Sequence, residues 1–198
     1  MNFAGYREEL KNAMRKVFSD REHHFAFLNE NDCLLKFLAE EVGVNKEDII
    51  DSINEGVVVF SAHGTDEKII KKAINKGLIV YNAVCPFVDK TFDAIKKKDL
   101  EGYSVIYIGK KGHDEANAAL SFSNNIYLIE NENDVDNLNI NSNKIAVINQ
   151  TTLSIKNLVN IYNKLLKKYP SCIIEDEICN TTRIRQENLI KKAADYDG

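Results

Sequence analysis

Apolar residues along this chain fall into two alternating patterns. Short, nearly continuous apolar runs occur at "HHFAFL" (23–28), "GVVVFS" (56–61), "LIVYNAV" (78–84), "YSVIYIG" (103–109), "NIYLIE" (125–130), "KIAVINQ" (144–150) and "SCIIEDEI" (171–178). Between them, apolar positions recur every three or four residues over 6–19, 31–43, 65–76, 86–99, 114–121, 153–169 and 183–195. The first pattern predicts strands buried on both faces, and the second predicts amphipathic helices. Their alternation predicts βαβ units with mainly parallel sheets, an α/β fold. Both prolines agree. Pro86 opens a helix where no amide donor is needed, and Pro170 ends the helix over 153–169. The Asn-rich stretch 130–144 reads as a short acidic helix and a loop. The polar "KKKDLEGY" near 98–103 suggests a boundary between two modules, 1–98 and 99–182, with a terminal helix and tail over 183–198.

Composition narrows the function classes. The chain has 198 residues, 44% hydrophobic and 28% charged, which suits a globular protein with one sizeable core or two small ones. A net charge of -4 provides no basic field for nucleic acid. No apolar run approaches membrane-spanning length, and the charged N-terminus lacks the apolar stretch of a signal peptide. The expectation is a cytoplasmic protein whose four cysteines, Cys33, Cys85, Cys172 and Cys179, are reduced thiols or metal ligands. None lies in a CxxC pair.

Chemistry-bearing residues gather just past the strand ends. Ala62-His63-Gly64 follows the first module's "VVVFS", and Cys85-Pro86 follows "IVYNAV". His113-Asp114-Glu115 follows "VIYIG", Gln150-Thr151-Thr152 follows "IAVIN", and Cys179-Asn180-Thr181-Thr182 follows "IIEDEI". In open α/β sheets ligands bind beyond the carboxyl ends of the strands, where helix N-termini also favour anions. Each residue also has a plainer role. His63 can close a turn before a helix capped by Thr65, Glu115 can offset a helix dipole, and Thr151 and Thr152 can cap a helix. Cys85 and Cys179 can be apolar plugs. "GKKGH" lacks the Gly-Lys-Ser/Thr ending of a phosphate-binding P-loop. Cys33 and Cys172 read as core residues, and His23 and His24 as surface residues.

Taken in order, "FSAHG" (60–64), "NAVCPFVDK" (82–90), "IGKKGHDE" (108–115), "INQTTLS" (148–154) and "DEICNTTRIRQE" (176–187) resemble the LytB family of 4-hydroxy-3-methylbut-2-enyl diphosphate reductases. The resemblance implies α/β modules around a four-iron four-sulfur (4Fe-4S) cluster, an allylic diphosphate substrate and an electron-donor protein. It implies that Cys85 and Cys179 are two of the three cluster ligands, and that His63 and His113 hold the diphosphate. By the same resemblance Glu115 delivers protons, Thr151 lies beside the leaving hydroxyl, and Gln150 and Thr182 line the pocket. The sequence departs from the family at three places. Phe3 in "MNFAGY" stands where the first cluster cysteine is expected, Glu30 in "NENDC" stands near a family histidine with Asn31 beside it, and the chain stops at Gly198 where the family continues into a third module. The expectation is therefore two modules facing a cleft, incomplete as a single-chain enzyme. The activity that the resemblance implies is the iron–sulfur reductase reaction, dehydroxylation of the allylic diphosphate to isopentenyl and dimethylallyl diphosphates; the alternatives are a non-catalytic binder of a diphosphate-like anion and one subunit of a split reductase.

Overall fold

The computed structural model describes residues 50, 51 and 53–193. The expected strand 23–28, the helices 6–19 and 31–43, and Phe3, Glu30 and Cys33 lie outside the described residues. From Val57 onward strands and helices alternate: β1 (Val57–Phe60), α1 (Glu67–Asn75), β2 (Ile79–Asn82), α2 (Pro86–Leu100), β3 (Ser104–Ile108), α3 (Asp114–Leu120), β4 (Ile126–Ile129), α4 (Asp134–Asn137), β5 (Ile145–Asn149), α5 (Ile155–Lys168), β6 (Ile173–Glu175) and α6 (Asn180–Ala193). The described strands form two sheets, β1-β2 and β4-β3-β5-β6, and every pairing is parallel.

The four-stranded sheet is covered on both faces. All five residues of β3 and of β5 are buried, which is why both read as continuous apolar runs. Successive side chains still alternate. Val105 and Tyr107 join Val88, Phe92 and Ile95 of α2 and three alanines of α3. Ile106 and Ile108 join Leu158, Ile161 and Leu165 of α5. The period of two thus feeds two separate cores from one strand. A third core, Val58, Phe60, Ala73 and Leu78, joins the two-stranded sheet to α1. The helix α2 follows β2 of the small sheet yet packs on the large one, so it fixes the first sheet's strand ends against the second.

Local chemistry sets the helix starts. Pro86 is the first residue of α2, with Cys85 as its cap in extended conformation (φ -63°, ψ 131°). Asp66, rather than Thr65, caps α1, its carboxylate accepting from the Lys68 amide at 2.8 Å. The threonines at 151 and 152 are not the cap of α5 either, because that helix begins later, after Ser154. Its first amide, Ile155 N, is instead satisfied from outside by Gln186 Oε1 at 3.0 Å, and Gln186 Nε2 donates to Leu153 O at 2.8 Å. One α6 side chain therefore pins α6 to the start of α5.

Candidate active site

The site is built from five strand-to-helix connections, anchored to one another by backbone bonds. Beyond β2 the chain stays beside the end of β1: Ala83 N donates to Phe60 O (3.1 Å) and Cys85 N to Ala62 O (2.9 Å). Cys85 is thereby fixed next to the loop that carries His63. Beyond β6, Cys179 N donates to Thr151 O at 3.1 Å, which fixes the second cysteine to the loop after β5.

Histidine and glutamate connect these two ends. The rings of His63 and His113 meet edge to face with centroids 5.4 Å apart. His113 caps α3, and its Nδ1 accepts from Glu115 N at 3.2 Å. Glu115 is 0% exposed. Its Oε1 accepts from Thr151 N at 2.8 Å and from the Tyr107 hydroxyl at 3.3 Å, and its Oε2 accepts from Thr151 Oγ1 at 2.9 Å. A continuous path of contacts therefore runs from Cys85 through the His63 loop, His113, Glu115 and Thr151 to Cys179.

A buried carboxyl with three donors is under opposing influences. Burial raises its pKa, while the Thr151 amide and hydroxyl, the Tyr107 hydroxyl and the nearby His63 lower it, and the net direction is upward. Burial also pushes the Tyr107 hydroxyl well up, with the Glu115 charge adding to it, so Tyr107 remains a donor at any ordinary pH.

The remaining sequence candidates are engaged within the loops. Gln150 is buried, with Oε1 accepting from Lys110 N (2.9 Å) and Nε2 donating to Thr152 Oγ1 (3.2 Å). It braces the turn that leads to His113. The Cys179 sulfur is approached by Thr182 N at 3.4 Å and by Thr182 Oγ1 at 3.1 Å. Cys85 and Cys179 are both half-buried. Cys172 packs against the α5-side core, and burial raises its thiol, in keeping with a core role.

Several supporting residues are not among the candidates that the sequence singled out. Lys90, in the second turn of α2, pairs with Glu177, two residues before Cys179, at 2.9 Å. Farther along the same helix Lys98 pairs with Glu175 at 2.9 Å. These ion pairs run α2 alongside β6 and the loop beyond it. Asn149, fully buried, ties the two loops together. Its Oδ1 accepts from the Tyr162 hydroxyl (2.7 Å) and from Glu177 N (3.0 Å), and its Nδ2 donates to Gln150 O (3.0 Å). Removing the amide leaves two part-buried donors unpaired, each toward the lower end of the about 1–3 kcal/mol that an unpaired buried group costs. Asn149→Ala is therefore expected to lower stability by about 2–4 kcal/mol in a urea titration. Lys90→Ala, at an ion pair whose lysine is largely exposed, is expected to cost under about 1 kcal/mol.

Parallel α/β sheets whose strand ends bring thiols, imidazoles and one buried carboxyl to a single rim define a class: α/β proteins with a built polar site at the carboxyl edge of the sheet. The family model described as LytB protein matches residues 24–197, and the chain belongs to the LytB family. Among curated proteins it is similar to 4-hydroxy-3-methylbut-2-enyl diphosphate reductases. That of Halalkalibacterium halodurans is 41% identical over 156 residues, covering 78% of this chain and 50% of that protein. That of Malacoplasma penetrans is 39% identical over 198 residues, covering 92% of this chain and 66% of that protein. The chain thus spans about half the length of several of the curated relatives it matches. Among solved structures, the E-1-hydroxy-2-methyl-but-2-enyl-4-diphosphate reductase from Plasmodium falciparum superposes with a TM-score of 0.71 at 35% identity, covering 75% of this chain and 48% of that one. A second solved reductase, 23% identical with a TM-score of 0.65, shares the fold over 86% of this chain and 61% of its own.

The thiols suit an iron–sulfur centre in type, since thiolate sulfur is the usual ligand of such clusters. Among the described residues they fall short of such a centre in number. Among the described residues no group of three cysteine, histidine or acidic side chains is placed to hold a metal ion. Cys85 and Cys179 alone would leave two irons of a four-iron cluster without a protein ligand.

Proposed function

We propose that this chain carries the anion-binding and proton-delivering part of a reductase acting on 4-hydroxy-3-methylbut-2-enyl diphosphate in isoprenoid synthesis. The observation that carries the reading is the enclosed Glu115 carboxyl, held by Thr151 and Tyr107 and set beside the His63–His113 pair. In this reading the two imidazoles bind the diphosphate. Thr151 and Glu115 supply the proton with which the allylic hydroxyl leaves as water; two electrons from a donor protein and a second proton, taken up at carbon, complete the reduction to isopentenyl or dimethylallyl diphosphate. Cys85 and Cys179 would be two of the ligands of a 4Fe-4S cluster, which would supply the electrons when bound, the remaining ligation coming from outside the described residues. Gln150 and Thr182 support the pocket from the loops they brace. An elevated carboxyl pKa suits a general acid, which must hold its proton until the leaving group needs it.

A second reading has its own observation. Two thiols at the rim, Cys85 and Cys179, with Phe3 in place of a third by the family resemblance, favour a chain that binds a diphosphate-like anion without a stable cluster, or one completed by a second polypeptide. The two readings separate in one experiment. Iron and sulfide are measured after anaerobic purification of wild type, Phe3→Cys and Cys85→Ser, alongside calorimetric titration with the diphosphate. Low iron in wild type, more in Phe3→Cys and less in Cys85→Ser is expected. A full four irons kept by Cys85→Ser would remove Cys85 as a ligand. Diphosphate binding is expected to weaken about 10- to 100-fold in His63→Ala, the loss of one charge-assisted hydrogen bond. Unchanged affinity in that variant would count against the anion site in both readings.

A further inference from the structure

We propose that Tyr107 is the positioning residue of the Glu115 carboxyl: its hydroxyl and the Thr151 amide together hold Oε1 as an acceptor, which leaves Oε2 as the atom that bears the exchangeable proton, against Thr151 Oγ1. This deepens the proton-delivery reading of Glu115 and rests on it only for where the proton finally goes.

The two carboxyl oxygens are not equivalent. Oε1 faces an amide at 2.8 Å that can only donate, and a phenol at 3.3 Å. A proton on Oε1 would set an O–H against that N–H. Oε2 faces a threonine hydroxyl at 2.9 Å. A hydroxyl both donates and accepts, and it rotates to suit. When Glu115 is ionised, Thr151 Oγ1 donates to Oε2. When it is protonated, Oε2 donates to Thr151 Oγ1, whose own hydrogen is then free to point onward. One rotation changes the direction of the bond without moving a heavy atom.

Tyr107 is held for this task by packing. It is the fourth of the five residues of β3, and its ring is 0% exposed. A Cβ on Gly109 would lie 2.6 Å from Tyr107 Cε1 and 3.1 Å from Cδ1. The absence of that carbon lets the ring lie under the strand end and reach Glu115. Gly109 is needed here for close approach, since its φ lies outside the left-handed region.

The titratable groups around Glu115 are Tyr107 from β3, His63 from the loop after β1, and His113 with Asp114 from its own helix. Cys85, at the head of α2, packs against the same core as Tyr107. Of these, Tyr107 hydrogen-bonds the carboxyl directly and His63 acts on its charge.

The test reads the carboxyl itself, by infrared difference spectroscopy of the full chain across a pH titration. A protonated-carboxyl band is expected that Glu115→Gln abolishes. In Tyr107→Phe the band is expected to move to higher frequency, because its carbonyl loses a donor. Its midpoint is expected to rise by up to about one pH unit, a tenfold gain in proton affinity. Incorporation of 3-fluorotyrosine at 107, a stronger donor of nearly the same shape, is expected to move band and midpoint the other way, and it decides the matter if the phenylalanine variant fails to fold. A band that neither replacement moves, or that survives Glu115→Gln, overturns the proposal. Because no turnover is measured, the outcome is independent of whether the chain acts on a diphosphate. Shifts as expected in a chain that binds none would overturn the functional reading alone.

Discussion

Glu115→Ala is expected to destabilise the protein by about 3–5 kcal/mol, whereas Glu115→Gln is expected to leave it folded and as stable or nearly so. The alanine strips the acceptor from Thr151 N, Thr151 Oγ1 and Tyr107 at once and leaves a hole in a fully buried region. The glutamine keeps the arrangement, since its oxygen accepts the same amide and phenol and its Nε2 donates to the threonine hydroxyl. The two differ from wild type in pH dependence as well. Burial lifts the Glu115 pKa above its ordinary 4.5, so the folded protein binds this proton more tightly than the unfolded chain. The stabilisation by protonation is fully present below the unfolded value and is lost as pH rises through the folded one. The stability of wild type relative to Glu115→Gln is therefore expected to fall as pH rises from about 4.5, and to level off once the folded group is ionised. Paired urea titrations at several pH values give this difference. A difference that grows with pH would mean that the hydrogen bonds outweigh burial.

Gly64→Ala is expected to be the most damaging single-methyl change near the site. Gly64 sits at φ +87°, where a β-carbon costs about 1–2 kcal/mol. The same carbon would lie 2.5 Å and 2.6 Å from Phe92 Cε2 and Cζ. Phe92 is buried in the core between α2 and β3 and packs edge to face on Phe122 at 5.1 Å, so its ring has little room to withdraw. Overpacking of that kind adds about 1–3 kcal/mol. The expected total is about 2–5 kcal/mol in a urea or thermal melt. Because Gly64 adjoins His63, the loop must also shift, and under the proposed function diphosphate affinity is expected to fall with stability. A variant as stable as wild type would show that the turn after β1 is looser than its contacts imply. The glycine at 77, also at positive φ but with open space around it, is the control, since alanine there meets only the backbone cost.

The chain's own sequence determined the α/β class, the parallel sheets and the rim of strand ends, because each is written in local periodicity. β3 and β5 read as strands because a strand covered on both faces must be apolar at every position. Pro86 and Pro170 marked helix ends because the missing amide acts within one turn. The motifs around His63, Cys85, His113, Thr151 and Cys179 named the family, since they are contiguous and ordered. The tertiary structure decided what those residues do to one another. Glu115 looked like one more acid at a helix start; its burial depends on Thr151, 36 residues away, and on a tyrosine of the preceding strand. Thr151 looked like a helix cap, but Gln186, 31 residues beyond Ile155, supplies that cap and releases the threonine for the carboxyl. Asn149 and the Lys90–Glu177 pair, the latter joining residues 87 apart, hold the Thr151 and Cys179 loops in place; they lie within the ordered motifs, but nothing local in those motifs tells which partners they meet. Periodicity reports only how a segment meets its nearest neighbours in the chain. Hydrogen bonds between loops depend on the order in which strands enter a sheet, and that order is set by packing of the whole core.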